Sequence, residues 1–217
     1  MDISVVKNNQ FPLLVCDNWY TKNEEIAVWK ELDYYSSLPK ENQVRAENTI
    51  VARNEDGTSK SKAFRWYLST FYTKEGLKLS AILNTQNKIH TKTFKDELDK
   101  LKPFCRSFYN TNQSSTMVSY YEDNDYYDFH VDIFAWTSII WLYKEPRKFE
   151  GGDLNLSDPD VQVKLKNNRA VFFPCFYEHQ VTPLKFEKKP KMGEGRYTIT
   201  HFYFSIPEGV TLQNESI

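Results

Sequence analysis

Apolar residues recur at helical spacing in the first half of the chain, which predicts helices there. The first helix is predicted to begin at the capping-box sequence Thr21–Glu24. Its buried face is expected to contain Ile26, Trp29 and Leu32. A second helix is predicted over residues 74–83 and a third from about Thr93. Pro103 is expected to bend or break the third helix. Residues 42–62 are polar and are expected to form a loop that shapes a substrate mouth.

After Tyr109 the pattern changes to short apolar or alternating runs, which are typical of β-strands. Eight strands are predicted, over Thr116–Tyr121, Phe129–Ile133, Thr137–Tyr143, Asp153–Leu156, Val161–Leu165, Ala170–Phe173, His179–Thr182 and Arg196–Ile206. Helices followed by many short strands predict an α+β chain that is mainly β, with a double-stranded β-helix (jelly roll, cupin-like) core and N-terminal helices packed on one face. We expect a single domain over residues 1–217, in which residues 1–110 supply helical support and the first strands and residues 111–207 form the catalytic core.

Charge, hydropathy and cysteine spacing limit the kinds of protein that this chain could be. The formal net charge is −1 and no long basic run occurs, so a nucleic-acid partner is not expected. The chain shows neither a secretion signal nor an apolar run long enough to cross a membrane, so a soluble, cytoplasmic protein without a membrane partner is expected. Cys16, Cys105 and Cys175 follow no disulfide or zinc spacing and are expected to be reduced thiols.

His130 and Asp132 form an H-x-D pair within a predicted strand. Residues i and i+2 of a strand point to the same face, so the imidazole and the carboxylate can reach one metal ion. A distant histidine, His179, would complete a 2-His-1-carboxylate triad, which is typical of non-haem Fe(II) oxygen chemistry. Arg196 and Thr198 share a face of the last predicted strand, and an arginine turned inward there indicates an anionic ligand.

Five motifs follow one another in the second half of the chain. They are Met117–Tyr121, His130–Asp132, Gly151–Leu154, His179–Pro183 and Arg196–Thr200. In type and order they resemble the catalytic core of the Fe(II)/2-oxoglutarate-dependent dioxygenases, in particular the prolyl 4-hydroxylase-like branch. Two departures stand out. Asn124 occupies a position where the family usually has glycine, and asparagine tolerates positive φ better than most residues. Residues 183–195 form an insertion that is predicted to be an extended hairpin at the pocket rim.

The resemblance implies a catalytic set. His130, Asp132 and His179 would bind Fe(II), and Arg196 would pair with the distal carboxylate of 2-oxoglutarate. The planar guanidinium fork of arginine suits that task, because it matches a carboxylate at two points. Thr198 would donate a hydroxyl hydrogen bond to the same carboxylate.

Three aromatic residues complete the implied site, and two tyrosines compete for one of these positions. Tyr121 matches a tyrosine that reaches the co-substrate, but the adjacent Tyr120 competes for this role because only one of them can point inward. Tyr127 matches an aromatic residue near the iron, and Trp141 occupies the position of a pocket tyrosine that contacts the co-substrate. The implied cofactors are Fe(II), 2-oxoglutarate as co-substrate and O₂, with ascorbate as an optional reductant.

The resemblance further implies hydroxylation of an unactivated C–H bond, with release of succinate and CO₂. The expected substrate is a protein or peptide residue such as proline. Three alternatives stay open: a hydroxylase of a free amino acid or other small metabolite, a cupin-like protein that binds metal without oxidising anything, and an inactive interaction domain. The sequence leaves the oligomeric state open.

Overall fold

The structure is a computed structural model that describes residues 1–6, 11–73, 76–157 and 161–208. Its helices are α1 (Lys22–Ser37), α2 (Leu68–Phe71), α3 (Ala81–Thr85) and α4 (Lys92–Asp99), with 3₁₀ helices at Lys40–Asn42, Ala46–Asn48, Gly76–Leu79, Gln86–His90 and Pro103–Asn110. Its strands are β1 (Asp2–Val6), β2 (Leu13–Asp17), β3 (Val44–Arg45), β4 (Ser61–Lys62), β5 (Phe64–Tyr67), β6 (Gln113–Tyr121), β7 (Tyr126–His130), β8 (Trp136–Tyr143), β9 (Phe149–Gly151), β10 (Leu154–Leu156), β11 (Gln162–Val163), β12 (Arg169–Pro174), β13 (His179–Val181), β14 (Leu184–Phe186) and β15 (Arg196–Phe204).

Antiparallel strands build a sandwich of a large and a small sheet. Among the described residues the large sheet has the order β1-β2-β12-β8-β15-β6-β5-β3 and the small sheet the order β11-β10-β13-β7-β4. An inner core joins the facing sides of the two sheets and includes Val15, Ile139, Leu154, Val171 and Val181. An outer core joins the other side of the large sheet to α1, α3 and α4 and includes Val28, Ile82, Phe94, Val118 and Ile140. The predicted fold class, a mainly β jelly roll with helices on one face, is therefore confirmed.

The first helix begins as predicted, and two of its three predicted buried residues face the core: Leu32 is buried and Trp29 is partly buried. Glu24 N donates to Thr21 Oγ1, and Thr21 N donates to Glu24 Oε2, so the capping box is formed. Val28, Leu32 and Tyr35 lie at the i, i+4 and i+7 spacing of one helical face and are buried. The prediction for Ile26 is wrong: it lies off this face, and half of its side chain (50%) is exposed.

The remaining helical segments are shorter than the sequence pattern suggested. Residues 74 and 75 lie outside the described residues, and the rest of the predicted second helix divides into the 3₁₀ helix Gly76–Leu79 and α3. The third stretch breaks at Pro103, because α4 ends at Asp99 and a 3₁₀ helix opens with that proline.

The insertion at residues 183–195 does not form the predicted hairpin. Its strand β14 pairs instead with β9, with Leu184 opposite Gly151 and Phe186 opposite Phe149. The physical reason is burial, because Leu184 is fully buried in the inner core and therefore draws the strand inward.

The polar segment 42–62 is more ordered than a loop. It contains β3 and β4, and β4 pairs with β7, which ends at His130. All three cysteines are free and buried. In the part of the chain that the structure describes, no helix combines the length and apolar character that crossing a bilayer requires.

Candidate active site

The predicted triad comes together at one end of the space between the sheets. Candidate ligand atoms of His130, Asp132 and His179 all lie within 4.8 Å of one another. His130 Nε2 is 3.6 Å from Asp132 Oδ1, and His179 Nε2 is 3.8 Å from Asp132 Oδ2. Two imidazole nitrogens and a carboxylate in this arrangement are a donor set that suits Fe(II) and leaves other coordination positions open.

Backbone carbonyls orient both histidine rings. His130 Nδ1 lies 2.8 Å from the carbonyl oxygen of Asp128, and His179 Nδ1 lies 2.8 Å from that of Tyr177. An Nδ1–H that donates to a carbonyl leaves the Nε2 lone pair free for a metal. Both Nε2 atoms face the carboxylate of Asp132, so the tautomers that these hydrogen bonds favour are the metal-binding ones.

The prediction that Asp132 lies on the same strand as His130 is wrong. Strand β7 ends at His130, and Asp132 lies in the loop that carries the chain from the small sheet to β8 in the large sheet. Two hydrogen bonds hold its carboxylate beside the histidines. The Asp132 N–H donates to the Cys175 carbonyl (3.2 Å), and Thr137 Oγ1 donates to Asp132 Oδ2 (2.6 Å). Sequence reasoning missed Thr137, because a threonine at the start of an apolar strand carries no distinguishing signal.

Charge states at the triad suit metal binding. Burial alone would raise the pKa of Asp132, but its hydrogen bond with His130 and the nearby histidine charges outweigh that effect and lower the pKa. Burial lowers the pKa of His179 to about 4. At neutral pH Asp132 is therefore a carboxylate and His179 a neutral imidazole, which are the forms that bind metal.

The cavity at the triad continues between the sheets toward Arg196. Its lining includes Met117, Ser119, Tyr121, Tyr127, Ile139 and Thr198. Arg196 is completely buried, its Nη1 donates to the Gly152 carbonyl at 2.8 Å, and its Cζ lies 4.1 Å from the centroid of the Tyr121 ring. Burial lowers the pKa of Arg196 to about 10, so it remains a cation at neutral pH.

Four buried donor atoms around Arg196 have no partner among the described residues. They are Arg196 Nε, Arg196 Nη2, Thr198 Oγ1 and Trp141 Nε1. Thr198 lies directly opposite Trp141 in the pairing of β15 with β8, so both side chains share the inner face with Arg196. A buried cation and unpaired donors cost free energy unless an anion joins them. This group of donors fits a carboxylate such as the distal end of 2-oxoglutarate.

The structure distinguishes the two competing tyrosines. Tyr121 is paired with Arg196 across β6 and β15 and belongs to the inner core. Tyr120 belongs to the outer core, where its hydroxyl accepts hydrogen bonds from the N–H groups of Gly193 and Gly195. Tyr121 is thus the one that faces the predicted co-substrate position.

Three residues near the site adopt positive φ values, a backbone conformation that few residues other than glycine tolerate. Asn124 adopts a φ of 60°, as its replacement of glycine predicted. Gly151 has a φ of 79°, and a Cβ there would lie 2.0 Å from the Pro183 carbonyl oxygen. Gly152 has a φ of 80°, and a Cβ there would lie 3.2 Å from Arg196 Nη1. These glycines let the backbone approach the arginine closely enough to accept its hydrogen bond.

Tyr127 lies beside the triad, as the resemblance implied. Its ring is parallel to that of His130, with centroids 3.5 Å apart and an interplanar angle of 8°. The stack fixes the plane of the imidazole and covers one side of it.

Comparisons with known proteins agree with this arrangement. Residues 116–204 match the model of the 2OG-Fe(II) oxygenase superfamily, whose members require Fe(II), 2-oxoglutarate and O₂. None of the curated proteins matches the sequence.

Solved structures show the same fold. A prolyl-4-hydroxylase from Pseudomonas putida has a TM-score of 0.54 at 12% identity, over 89% of this chain and 92% of that one. A 2OG-Fe(II) oxygenase family protein from Burkholderia pseudomallei has a TM-score of 0.52 at 12% identity, over 87% and 82% of the two chains. A viral collagen prolyl hydroxylase from Paramecium Bursaria Chlorella virus-1, in complex with 2-oxoglutarate, has a TM-score of 0.50 at 12% identity, over 87% and 93%. The chain therefore shares the fold of these proteins, and its residues 116–204 are similar in sequence to the 2OG-Fe(II) oxygenase superfamily.

Proposed function

We propose that this chain hydroxylates an unactivated C–H bond in a protein or peptide residue such as proline. The observation that carries the proposal is a candidate metal-binding triad in the same interior as a buried arginine, Arg196, two of whose nitrogens have no partner among the described residues. Bound Fe(II) and 2-oxoglutarate would supply, with O₂, the oxidation that yields succinate and CO₂ and transfers one oxygen atom to the substrate carbon. The protein positions that carbon.

The roles of the chain's own residues follow from their contacts. The iron would be held by His130, Asp132 and His179. The hydroxyl of Thr137 donates to the Asp132 carboxylate and so fixes its position beside the two imidazoles. Arg196 would anchor the distal carboxylate of the co-substrate, assisted by donors from Thr198 and Trp141. Because these donors are buried, water competes weakly for the bound anion.

Two observations support a peptide as the substrate. The solved structures of similar fold include proteins described as a prolyl-4-hydroxylase and a collagen prolyl hydroxylase. Apolar side chains that neighbour the ligands in sequence are also exposed: Val131 (52%), Ile133 (87%) and Phe176 (64%). Exposed apolar residues beside a reactive centre fit a surface that another chain covers.

Turnover tests this proposal. The purified chain is supplied with Fe(II), 2-oxoglutarate and O₂, and proline-containing peptides are screened for succinate formation and for a mass gain of one oxygen atom. We expect Asp132→Ala to lose both signals, because two imidazoles alone hold iron weakly. Succinate formation that persists undiminished in Asp132→Ala would refute the assignment of the metal centre.

A further inference from the structure

A second buried arginine, Arg65, has no acidic partner among the residues that the structure describes. Only 4% of its surface is exposed. Its Nη2 donates to Ser61 Oγ at 3.1 Å, whereas its Nε has no partner among the described residues. No carboxylate of the described residues forms an ion pair with it. Arg45, by contrast, donates to both carboxylate oxygens of Asp125, at 3.2 and 2.9 Å. An arginine this deeply buried ordinarily has such a partner.

Strand pairing puts Arg65 on the inner face of the large sheet. Arg65 lies opposite Ser119 in the pairing of β5 with β6, and Ser119 lies opposite Thr198 in the pairing of β6 with β15. Directly opposed residues of antiparallel strands share a face. Ser119 and Thr198 both line the cavity, and Arg65 continues their row along the same face of the sheet.

Arg65 is also close to the metal-binding end of the cavity. Its Cζ lies 5.1 Å from the centroid of the Tyr127 ring, and that ring stacks on His130 at 3.5 Å. One aromatic ring therefore separates the guanidinium from a candidate iron ligand. Arg196 lies two residues before Thr198 along β15 and is the cation to which the co-substrate carboxylate would bind. Two buried guanidinium groups on different strands thus share the inner face of the large sheet, and one co-substrate carboxylate accounts for only one of them.

We propose that Arg65 binds a carboxylate of the prime substrate and so holds the target C–H bond beside the metal. This inference rests on the proposed function, and it adds that the substrate is a carboxylic acid. The carboxylate belongs either to a free or C-terminal α-carboxyl group or to an acidic side chain of a peptide. A guanidinium suits this recognition because its planar fork binds a carboxylate at two points and keeps its charge when buried.

Matched acid and amide compounds test the inference on the unaltered chain. One set contains the free amino acids and their amides. A second contains short peptides with a free or an amidated C-terminus, and a third contains peptides with Glu or Gln beside the residue to be oxidised. The readouts are succinate formation above the substrate-free rate and, without O₂, the change that each compound causes in the visible band of the Fe(II)–2-oxoglutarate complex.

We expect the acids of one set to give both signals, and amidation to reduce kcat/KM at least tenfold. The responding set identifies the source of the carboxylate. Arg65→Met is expected to remove the preference for acids while leaving the affinity for 2-oxoglutarate unchanged, and Arg65→Lys to restore part of it. Arg53→Met removes an exposed arginine that donates only to backbone carbonyls and is the matched control. If Arg65→Met does not fold, the acid and amide comparison still decides the question.

Three results would overturn the inference: amides that respond as well as acids, an acid preference that survives Arg65→Met, or no response to any acid. The visible band without substrate separates this failure from a failure of the proposed function. If the band forms in the unaltered chain but no acid preference follows, only the role of Arg65 is wrong. If the band does not form, the proposed function itself is wrong.

Discussion

At the scale of single residues, the candidate active site contains polar groups that are buried without hydrogen-bond partners among the described residues. Arg196 is fully buried with two nitrogens unpaired, and Thr198 and Trp141 each add an unpaired donor among the described residues. A protein gains no stability from such groups. Binding of an anion beside Arg196 would explain the energetic cost of these unpaired donors. Two predictions about individual side chains follow from this explanation.

The first prediction concerns Arg196. Replacing it with Met should raise the KM for 2-oxoglutarate roughly 10- to 100-fold, the range expected for lost hydrogen bonds to a charged group. Because the variant removes a buried charge that has no acidic partner in the part of the chain that the structure describes, its thermal midpoint without ligands should not fall. Steady-state kinetics and thermal unfolding check both expectations. An unchanged KM would mean that the co-substrate binds elsewhere.

The second prediction concerns Trp141. Trp141→Phe should weaken 2-oxoglutarate binding about 3- to 10-fold, because one neutral donor is lost. Trp136→Phe is the matched control, since the Trp136 indole lies in the outer core and donates to Ser107 Oγ. Calorimetric titration with 2-oxoglutarate measures both variants. Equal effects of the two substitutions would argue against a direct contact from Trp141.

At the scale of elements, an ion-paired group at Asp17 adds to the backbone pairing that holds β2 against β12 in the large sheet. Asp17 accepts from Arg169 Nε at 2.6 Å and Nη2 at 3.0 Å, and from Lys166 Nζ at 2.8 Å. The hydrogen bonds from Arg169 are the main reason that the pKa of Asp17 falls from 3.8 to about 2. A carboxyl group whose pKa is lowered by folding stabilises the folded state above its unfolded pKa, and this contribution disappears as the pH falls toward 2.

Asp17→Asn should therefore lower the free energy of unfolding by about 1–2 kcal/mol at pH 7. The difference from the unaltered chain should persist down to about pH 4 and shrink as the pH falls further. Urea titrations across this range measure it. Asp33→Asn is the control, because Asp33 pairs with Lys144 on the exposed surface, where ion pairs contribute little. A difference that is constant with pH would mean that ionisation of Asp17 does not stabilise the fold.

Sequence patterns predicted the elements with local signals and missed those set by distant contacts. The capping box at Thr21 and the break at Pro103 are encoded within a few residues, and both appear in the structure. The pairing of β14 with β9 and the position of Asp132 in a loop depend on where the inner core and the second sheet lie. Arg65 was overlooked for a related reason. It alternates with Phe64 and Trp66, a pattern in which the polar residue is ordinarily assigned to solvent.

At the scale of the whole molecule, the sandwich brings distant parts of the chain to one cavity. β7 and β13 of the small sheet supply His130 and His179, whereas β15 of the large sheet supplies Arg196 and Thr198. In the described ranges of the chain, helices pack on the outer side of the large sheet and none contributes to the inner core, so the inner side is left for the site. The order of the motifs along the chain was enough to indicate the family resemblance. Their arrangement around one cavity depends on how the two sheets pack, which the sequence pattern does not give.

The central claim is that this cavity binds Fe(II) and 2-oxoglutarate together. Anaerobic titration of the purified chain with both tests it most directly, through the visible charge-transfer band of a keto acid chelated to iron. We predict that the band forms in the unaltered chain, is absent in Asp132→Ala, and disappears with formation of succinate when O₂ is admitted. Iron binding without the band would contradict the account and would favour a metal-binding protein that oxidises nothing.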